Sequence, residues 1–171
     1  MIQNKPKLKK SVRPTPAVVR KAIFDILQDV EDRVFVDLYA GKGLVGIEAL
    51  KRGAKNVIFV EKDPVLFYFI KNSLKMNQLY DRAKIYKMDA VNFLKDSLQE
   101  YDIIFADPPY ESGEIERIFK VFENKNLIKE GGVMILQHHK KESLRERLKD
   151  LKIHKCYKYG DTLLTVYRRT E

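Results

Sequence analysis

Asp107-Pro108-Pro109-Tyr110 ends an apolar run, Ile103-Ile104-Phe105-Ala106, and puts a carboxylate, rigid carbonyls and an aromatic ring within four residues. Neither proline has an N–H and each has a fixed φ, so the chain must leave its strand here. The carboxyl end of a buried parallel strand is where open α/β sheets gather ligands. Asp107 and the carbonyl of Pro108 can each accept one N–H of a flat exocyclic amine. Such an amine is a poor nucleophile, because its lone pair is delocalised into the ring. Two well-placed acceptors localise that pair toward an electrophile, an effect of positioning and electrostatics. Tyr110 can stack on the ring, as aromatic side chains do with flipped or single-stranded bases. The plain alternative is an ordinary strand exit through two prolines.

A second cluster could hold what the amine reacts with. Gly41-Lys42-Gly43-Leu44-Val45-Gly46 fits G-x-G-x-x-G and lies between an apolar run ending Asp37-Leu38-Tyr39 and a helical pattern. Glycines there permit a tight turn and a close approach of ligand to backbone. Glu61 follows Gly41 by 20 residues, at the end of the next apolar run. A carboxylate at that point can accept from both ribose hydroxyls, so a nucleoside-containing cofactor is expected. Lys42 does not make a phosphate-binding P-loop, because the G-x-x-x-x-G-K-[ST] spacing is absent. A dinucleotide such as NAD is the competitor, but hydride transfer has no use for Asp-Pro-Pro-Tyr. Methyl transfer from a sulfonium donor does, and it needs no metal. Asp37 can brace the loop and contact the cofactor's amino group.

These clusters require a frame of alternating strands and helices. Thr15-Pro16 reads as an N-cap followed by proline at N1, and Ala17 to Gln28 puts Val19, Ala22, Ile23, Ile26 and Leu27 on one helical face. Strands are expected at Val34 to Tyr39, Asn56 to Glu61, Ala83 to Met88, Tyr101 to Ala106 and, opened by Gly131-Gly132, Val133 to Gln137. Helices are expected at Leu44 to Arg52, Pro64 to Leu79, Val91 to Leu98, Ile115 to Phe122 and, as a polar one, Glu142 to Leu151. Ile153 to Tyr159 and Thr162 to Tyr167 join through Gly160-Asp161 as a hairpin. The pattern predicts an α/β fold: a doubly wound, mostly parallel seven-stranded sheet with a C-terminal antiparallel hairpin.

The chain has 171 residues, 44% hydrophobic and 33% charged, which suits one globular domain. We expect a basic arm over residues 1–13 and a single domain over 14–171. No apolar stretch approaches the roughly 20 residues of a membrane span, and no secretory leader is visible near Met1. The lone Cys156 argues for a reduced, cytoplasmic setting and is expected to pack as a small apolar group. Of the formal charge of +9, residues 1–21 contribute seven bases and no acid. A basic arm on a near-neutral body suggests a polyanion, with Lys7, Lys9, Lys10, Arg13 and Arg20 as its contacts; a solvated tail is the alternative.

With these residues in place, the chain resembles a class I S-adenosylmethionine-dependent methyltransferase. More narrowly, it resembles the bacterial family that methylates a guanine exocyclic amine (N2) in small-subunit ribosomal RNA. The likeness is carried by Arg13-Pro14-Thr15 with Val19 to Phe24, by Asp37 to Leu50 with Arg52-Gly53-Ala54, by Asp107 to Tyr110 and by Tyr159-Gly160-Asp161-Thr162. It implies that Gly41 and Gly43, with their neighbours Tyr39 and Gly46, flank the methionine part of S-adenosyl-L-methionine. Asp37 belongs to the same site, Glu61 holds the ribose, and Asp89 with Ala90 faces the adenine. Asp107, Pro108 and Tyr110 handle the target base. Asp89 also reads as the N-cap of a helix. The implied partner is ribosomal RNA, free or within a partly assembled small subunit, and a monomer is expected. Adenine-N6 methylation and a non-catalytic RNA-binding role remain alternatives. Three features depart from the family: the short lysine-rich segment before the first helix, Lys42 at a position usually held by a small residue, and Gln137-His138-His139-Lys140. The two histidines are expected to face solvent or RNA, because neighbours on a strand point to opposite faces and cannot easily chelate together.

Overall fold

The computed structural model describes residues 16–170. Five helices and eight strands follow in order: α1 (Ala17–Leu27), β1 (Val34–Leu38), α2 (Leu44–Lys51), β2 (Asn56–Val60), α3 (Pro64–Met76), β3 (Ala83–Tyr86), α4 (Ala90–Asp96), β4 (Tyr101–Ala106), α5 (Glu114–Asn124), β5 (Ile128–His139), β6 (Arg147–Leu148), β7 (Leu151–Tyr159) and β8 (Thr162–Arg169). They form one sheet of order β3-β2-β1-β4-β5-β8-β7-β6. β3 to β5 pair in parallel, and β8, β7 and β6 add antiparallel. From β1 the chain winds outward through β2 and β3, then returns to β4 on the other side of β1. The carboxyl ends of β1 and β4 are therefore the switch point at which this architecture opens a crevice.

The central strands are apolar along their whole length because both faces are covered. Phe35, Val57, Phe59, Ile103, Phe105, Val133 and Ile135 pack toward α1, α2 and α3. Their alternating neighbours Val36, Leu38, Ile58, Val60, Ile104, Ala106, Met134 and Leu136 pack toward α4 and α5. This period-2 partition fixes the register, since a one-residue slip would exchange the two faces of a strand. Asp63 caps α3 by accepting from Val65 and Leu66, with Pro64 behind it, and Asp89 caps α4 by accepting from Asn92.

Several expectations are corrected. The sheet has eight strands rather than seven, because no helix spans 142–151. Leu144, Leu148 and Leu151 have helical spacing, yet Leu148 and Leu151 face each other across the β6–β7 hairpin and Leu144 packs on the same core. β5 starts at Ile128, ahead of the glycines. Gly131, at φ 72°, lies within β5, and a Cβ on Gly132 would come within 2.7 Å of the Asp102 carbonyl oxygen. α1 opens at Ala17 with Pro16 preceding it, while Thr15 lies outside the described residues. Cys156 is exposed rather than packed. His138 is buried, with Nε2 2.7 Å from Thr165 Oγ1. The arm residues Lys7, Lys9, Lys10 and Arg13 also lie outside the described residues.

Candidate active site

The loop between β1 and α2 takes its shape from left-handed residues. Tyr39, Gly41 and Gly43 have φ of 55°, 58° and 75°. Glycine meets that demand without a Cβ clash, whereas Tyr39 is held there by its surroundings. Its half-buried hydroxyl donates to Glu114 Oε2 at 2.7 Å, and partial burial, then Glu114, push its pKa up. Glu61, at the end of β2, accepts from the Gly41 N–H through Oε2 (2.8 Å) and from the Asp63 N–H through Oε1 (3.0 Å). One carboxylate thus ties the glycine loop to the start of α3, with further lone pairs on each oxygen. Asp37 accepts from the Gly46 N–H at 3.0 Å. Gly46 itself is a packing glycine: a Cβ there would lie 2.3 Å from the Phe59 ring, so α2 seats on β2 only without one.

The acids converge. Asp37 is in register with Phe105, two residues before Asp107, and with Phe59, two residues before Glu61. Desolvation raises the Asp37 pKa well above its usual value; the Gly46 N–H opposes this, and the charges of Asp107 and Glu61 reinforce it. Three carboxylates therefore share one crevice at the ends of β1, β2 and β4. Asp89 stands over the next strand end. Partial burial is the largest influence on it and raises its pKa, but the Asn92 N–H and the Arg117 guanidinium outweigh this and hold it low. Arg117 reaches Glu114 at 2.7 Å and Asp89 at 3.4 Å, so Tyr39, Glu114, Arg117 and Asp89 form one chain of polar contacts across the crevice. Ala90, the first residue of α4, is buried beside them.

Asp107 is half-buried, Pro108 is buried, and Pro109 and Tyr110 are exposed. The loop beyond is braced from both sides. The Tyr110 hydroxyl lies 3.1 Å from Thr162 Oγ1, and its ring meets the His139 ring edge-on at 5.6 Å. Ser112 Oγ donates to the Pro109 carbonyl at 2.6 Å. Glu142 accepts from the Glu111 N–H and from the His139 N–H, both at 3.0 Å. The sequence does not point to Glu114, Arg117, Glu142 or Thr162 as site residues, its pattern puts Glu142 in a helix, and it marks His139 only as facing solvent or RNA. Glu114 carried a weak signal, as an acid directly after Gly113 at a helix start. Arg20 lies on α1 and is partly buried.

The carboxylates and the glycine loop suit a cationic ligand with a ribose: left-handed backbone leaves room for it, and acids rather than bases face it. Residues 4–168 match the family described as Conserved hypothetical protein 95, that of the RsmD-like methyltransferases. The chain belongs to this family. YlbH of Bacillus subtilis (strain 168), named provisionally as an rRNA methyltransferase, is 31% identical over 163 residues, covering 93% of this chain and 89% of YlbH. Ribosomal RNA small subunit methyltransferase D of Buchnera aphidicola subsp. Acyrthosiphon pisum is 31% identical over 136 residues, covering 78% and 71% of the two chains. Among solved structures, an RNA methyltransferase from Salinibacter ruber in complex with S-adenosyl-L-homocysteine superposes with a TM-score of 0.72 at 14% identity, covering 93% of this chain and 95% of that one. At that identity the likeness is one of fold, a class I methyltransferase sheet with a C-terminal antiparallel hairpin.

Proposed function

We propose that this protein transfers a methyl group from S-adenosyl-L-methionine to the N2 amine of a guanine in small-subunit ribosomal RNA, in the cytoplasm. The observation that carries the reading is the convergence of Asp37, Glu61 and Asp107 at adjacent strand ends around the glycine loop. In this reading Glu61 accepts from the ribose hydroxyls, Asp89 and Ala90 meet the adenine, and Asp37, with the Gly41 and Gly43 backbone, faces the charged methionine end. The donor, when bound, supplies an electrophilic methyl group on a sulfonium.

The chain's own residues then handle the amine. Asp107 and the Pro108 carbonyl accept its two N–H groups and aim the nitrogen lone pair. Tyr110, 42% exposed and anchored at its hydroxyl, offers a ring face for the base to stack on. Asp107 need not be a strong base, because a nitrogen that has gained a methyl group loses its proton readily. Membership of a family whose members are named for the small ribosomal subunit supports the RNA assignment. Among the described residues no helix is long and apolar enough to cross a membrane. The test incubates the protein with labelled donor and small-subunit RNA from a strain lacking the enzyme, then maps the modified base. Guanine N2 is the expected position, and label on adenine N6 would overturn the base assignment. Asp107→Ala should lower kcat by about 100-fold or more while donor affinity stays; retained turnover would remove the amine-positioning role.

A further inference from the structure

We propose that the outward face of α3 is a docking surface for a single-stranded stretch of the substrate RNA, running up to the rim of the donor site. The proposal rests on the RNA-methylation reading above. α3 packs inward through Ile70 and Leu74, both fully buried. Its outward face carries Val65, Tyr68, Phe69 and Met76, which are 77, 53, 45 and 84% exposed. A surface helix ordinarily turns polar residues to solvent, and an exposed apolar patch, interrupted here only by Asn72, marks a contact surface.

Cations fringe this stripe. Lys42 lies 5.7 Å from the centre of the Phe69 ring, Lys75 5.3 Å from that of Tyr80 and Lys87 5.8 Å from that of Phe67. Beside the stripe a groove of about 360 Å³ opens between α3 and the edge strand β3, lined by Phe67, Lys71, Tyr80 and Ile85 among others. Residues 62–87 hold six bases against two acids. Arg82 is occupied with the Ala54 and Leu50 carbonyls and Asp63 with capping α3, which leaves five lysines around one acid, Asp81. A body that is close to neutral as a whole thus concentrates positive charge here.

The combination selects the occupant. Aromatic faces interleaved with ammonium groups suit stacked bases and their phosphates. Lysine is depleted at the centre of protein–protein interfaces, and a symmetric contact with a second copy would set these lysines against their own kind. Lys42 belongs to the glycine loop, and α3 starts three residues after Glu61. RNA lying along α3 is therefore led toward the donor crevice.

The test measures binding of small-subunit ribosomal RNA, transcribed in vitro, to the full chain between about 50 and 200 mM salt. Lys75→Glu with Lys87→Glu should flatten the slope of log affinity against log salt by about 1.4. Tyr68→Ala with Phe69→Ala should weaken binding about tenfold or more through lost stacking. Affinity for S-adenosylhomocysteine and the thermal midpoint should stay in place in both variants, reporting an intact fold. Unchanged RNA affinity and slope in a protein that still methylates RNA would overturn the docking surface alone. A self-associating protein that these substitutions render monomeric would assign the face to a second copy and overturn it too. A wild-type protein that methylates no RNA would overturn the functional reading instead, and RNA binding that still responded to the variants would uphold the surface.

Discussion

Glu61→Gln probes the carboxylate on which the donor site turns. Each Glu61 oxygen accepts one backbone N–H, from Gly41 at 2.8 Å and from Asp63 at 3.0 Å. Glutamine keeps the size but has one oxygen and one NH2 group. Whichever way the amide is turned, one of the two N–H groups faces another donor. A hydrogen bond to a charged group is worth about 1.5–3 kcal/mol, and an orphaned buried amide is costly in its own right. For a chain of this length 1 kcal/mol moves the melting midpoint by about 2–4 °C, so Glu61→Gln should lower Tm by about 3–12 °C. If the remaining lone pairs receive the ribose hydroxyls, losing one such acceptor weakens S-adenosylhomocysteine binding by about 10- to 150-fold. Thermal melts with and without S-adenosylhomocysteine, together with titration calorimetry, read both quantities. An unchanged Tm would refute the brace. A lowered Tm with unchanged affinity would leave a brace without a cofactor role.

Gly46→Ala should destabilise the protein by about 1–3 kcal/mol or more, because its Cβ would meet the Phe59 ring, and Phe59→Leu should restore part of that in urea unfolding. Asp37→Asn should raise stability at pH 7 while weakening donor binding, since it removes a desolvated charge and keeps an oxygen for the Gly46 N–H. The sign follows from the raised pKa of Asp37: its stabilising contribution is complete below the ordinary value of 3.8 and is lost as pH rises through the folded value. Melting wild type and Asp37→Asn across that range should show the wild type alone losing this increment. His138 behaves oppositely: desolvation lowers its pKa against the pull of the His139 carbonyl, so the unfolded chain takes up the proton first. Stability should therefore fall as pH drops through about 6.5, and His138→Gln should flatten that fall in urea midpoints measured at about pH 5.5 and 7.5.

The central parallel strands β1, β2 and β4 are legible because they are nearly continuous apolar runs punctuated by glycine, proline and acid. Both faces of those strands are covered, so alternation is not needed to find them. The region after β5 was not legible. Leu144, Leu148 and Leu151 satisfy a helical period and a hairpin equally well, and Tyr167, through its hydroxyl on the Arg145 carbonyl at 2.6 Å, helps hold the segment open. That bond joins residues 22 apart and has no local signal. The bracing of Tyr110 is hidden for the same reason, since Thr162 reaches it from β8 and His139 from β5, while Glu142, just beyond β5, holds the neighbouring Glu111 N–H. The expectation that His138 faces solvent or RNA rests on the unlikelihood of chelation by strand neighbours and carries no information on its partner Thr165, which stands across the antiparallel β5–β8 ladder.

The charge in the crevice also bears on the choice of cofactor. G-x-G-x-x-G followed by an acid serves dinucleotides as readily as sulfonium donors, and in the dinucleotide case a pyrophosphate sits at the start of the first helix. Here that position is approached by Asp37, whose ionisation is already disfavoured by burial and then by the charges of Asp107 and Glu61. A pyrophosphate would add two negative charges to a site that struggles to keep its own. No cation is among the groups that shift Asp37; Lys42 lies over Phe69, and Arg117 is engaged by Glu114 and Asp89. A ligand carrying a sulfonium and an ammonium reverses the balance, because each positive charge lowers the cost of ionising the acids that hold it. The acids thus act before the chemistry does, by selecting a methyl donor over a hydride donor within a loop that sequence alone leaves open to both.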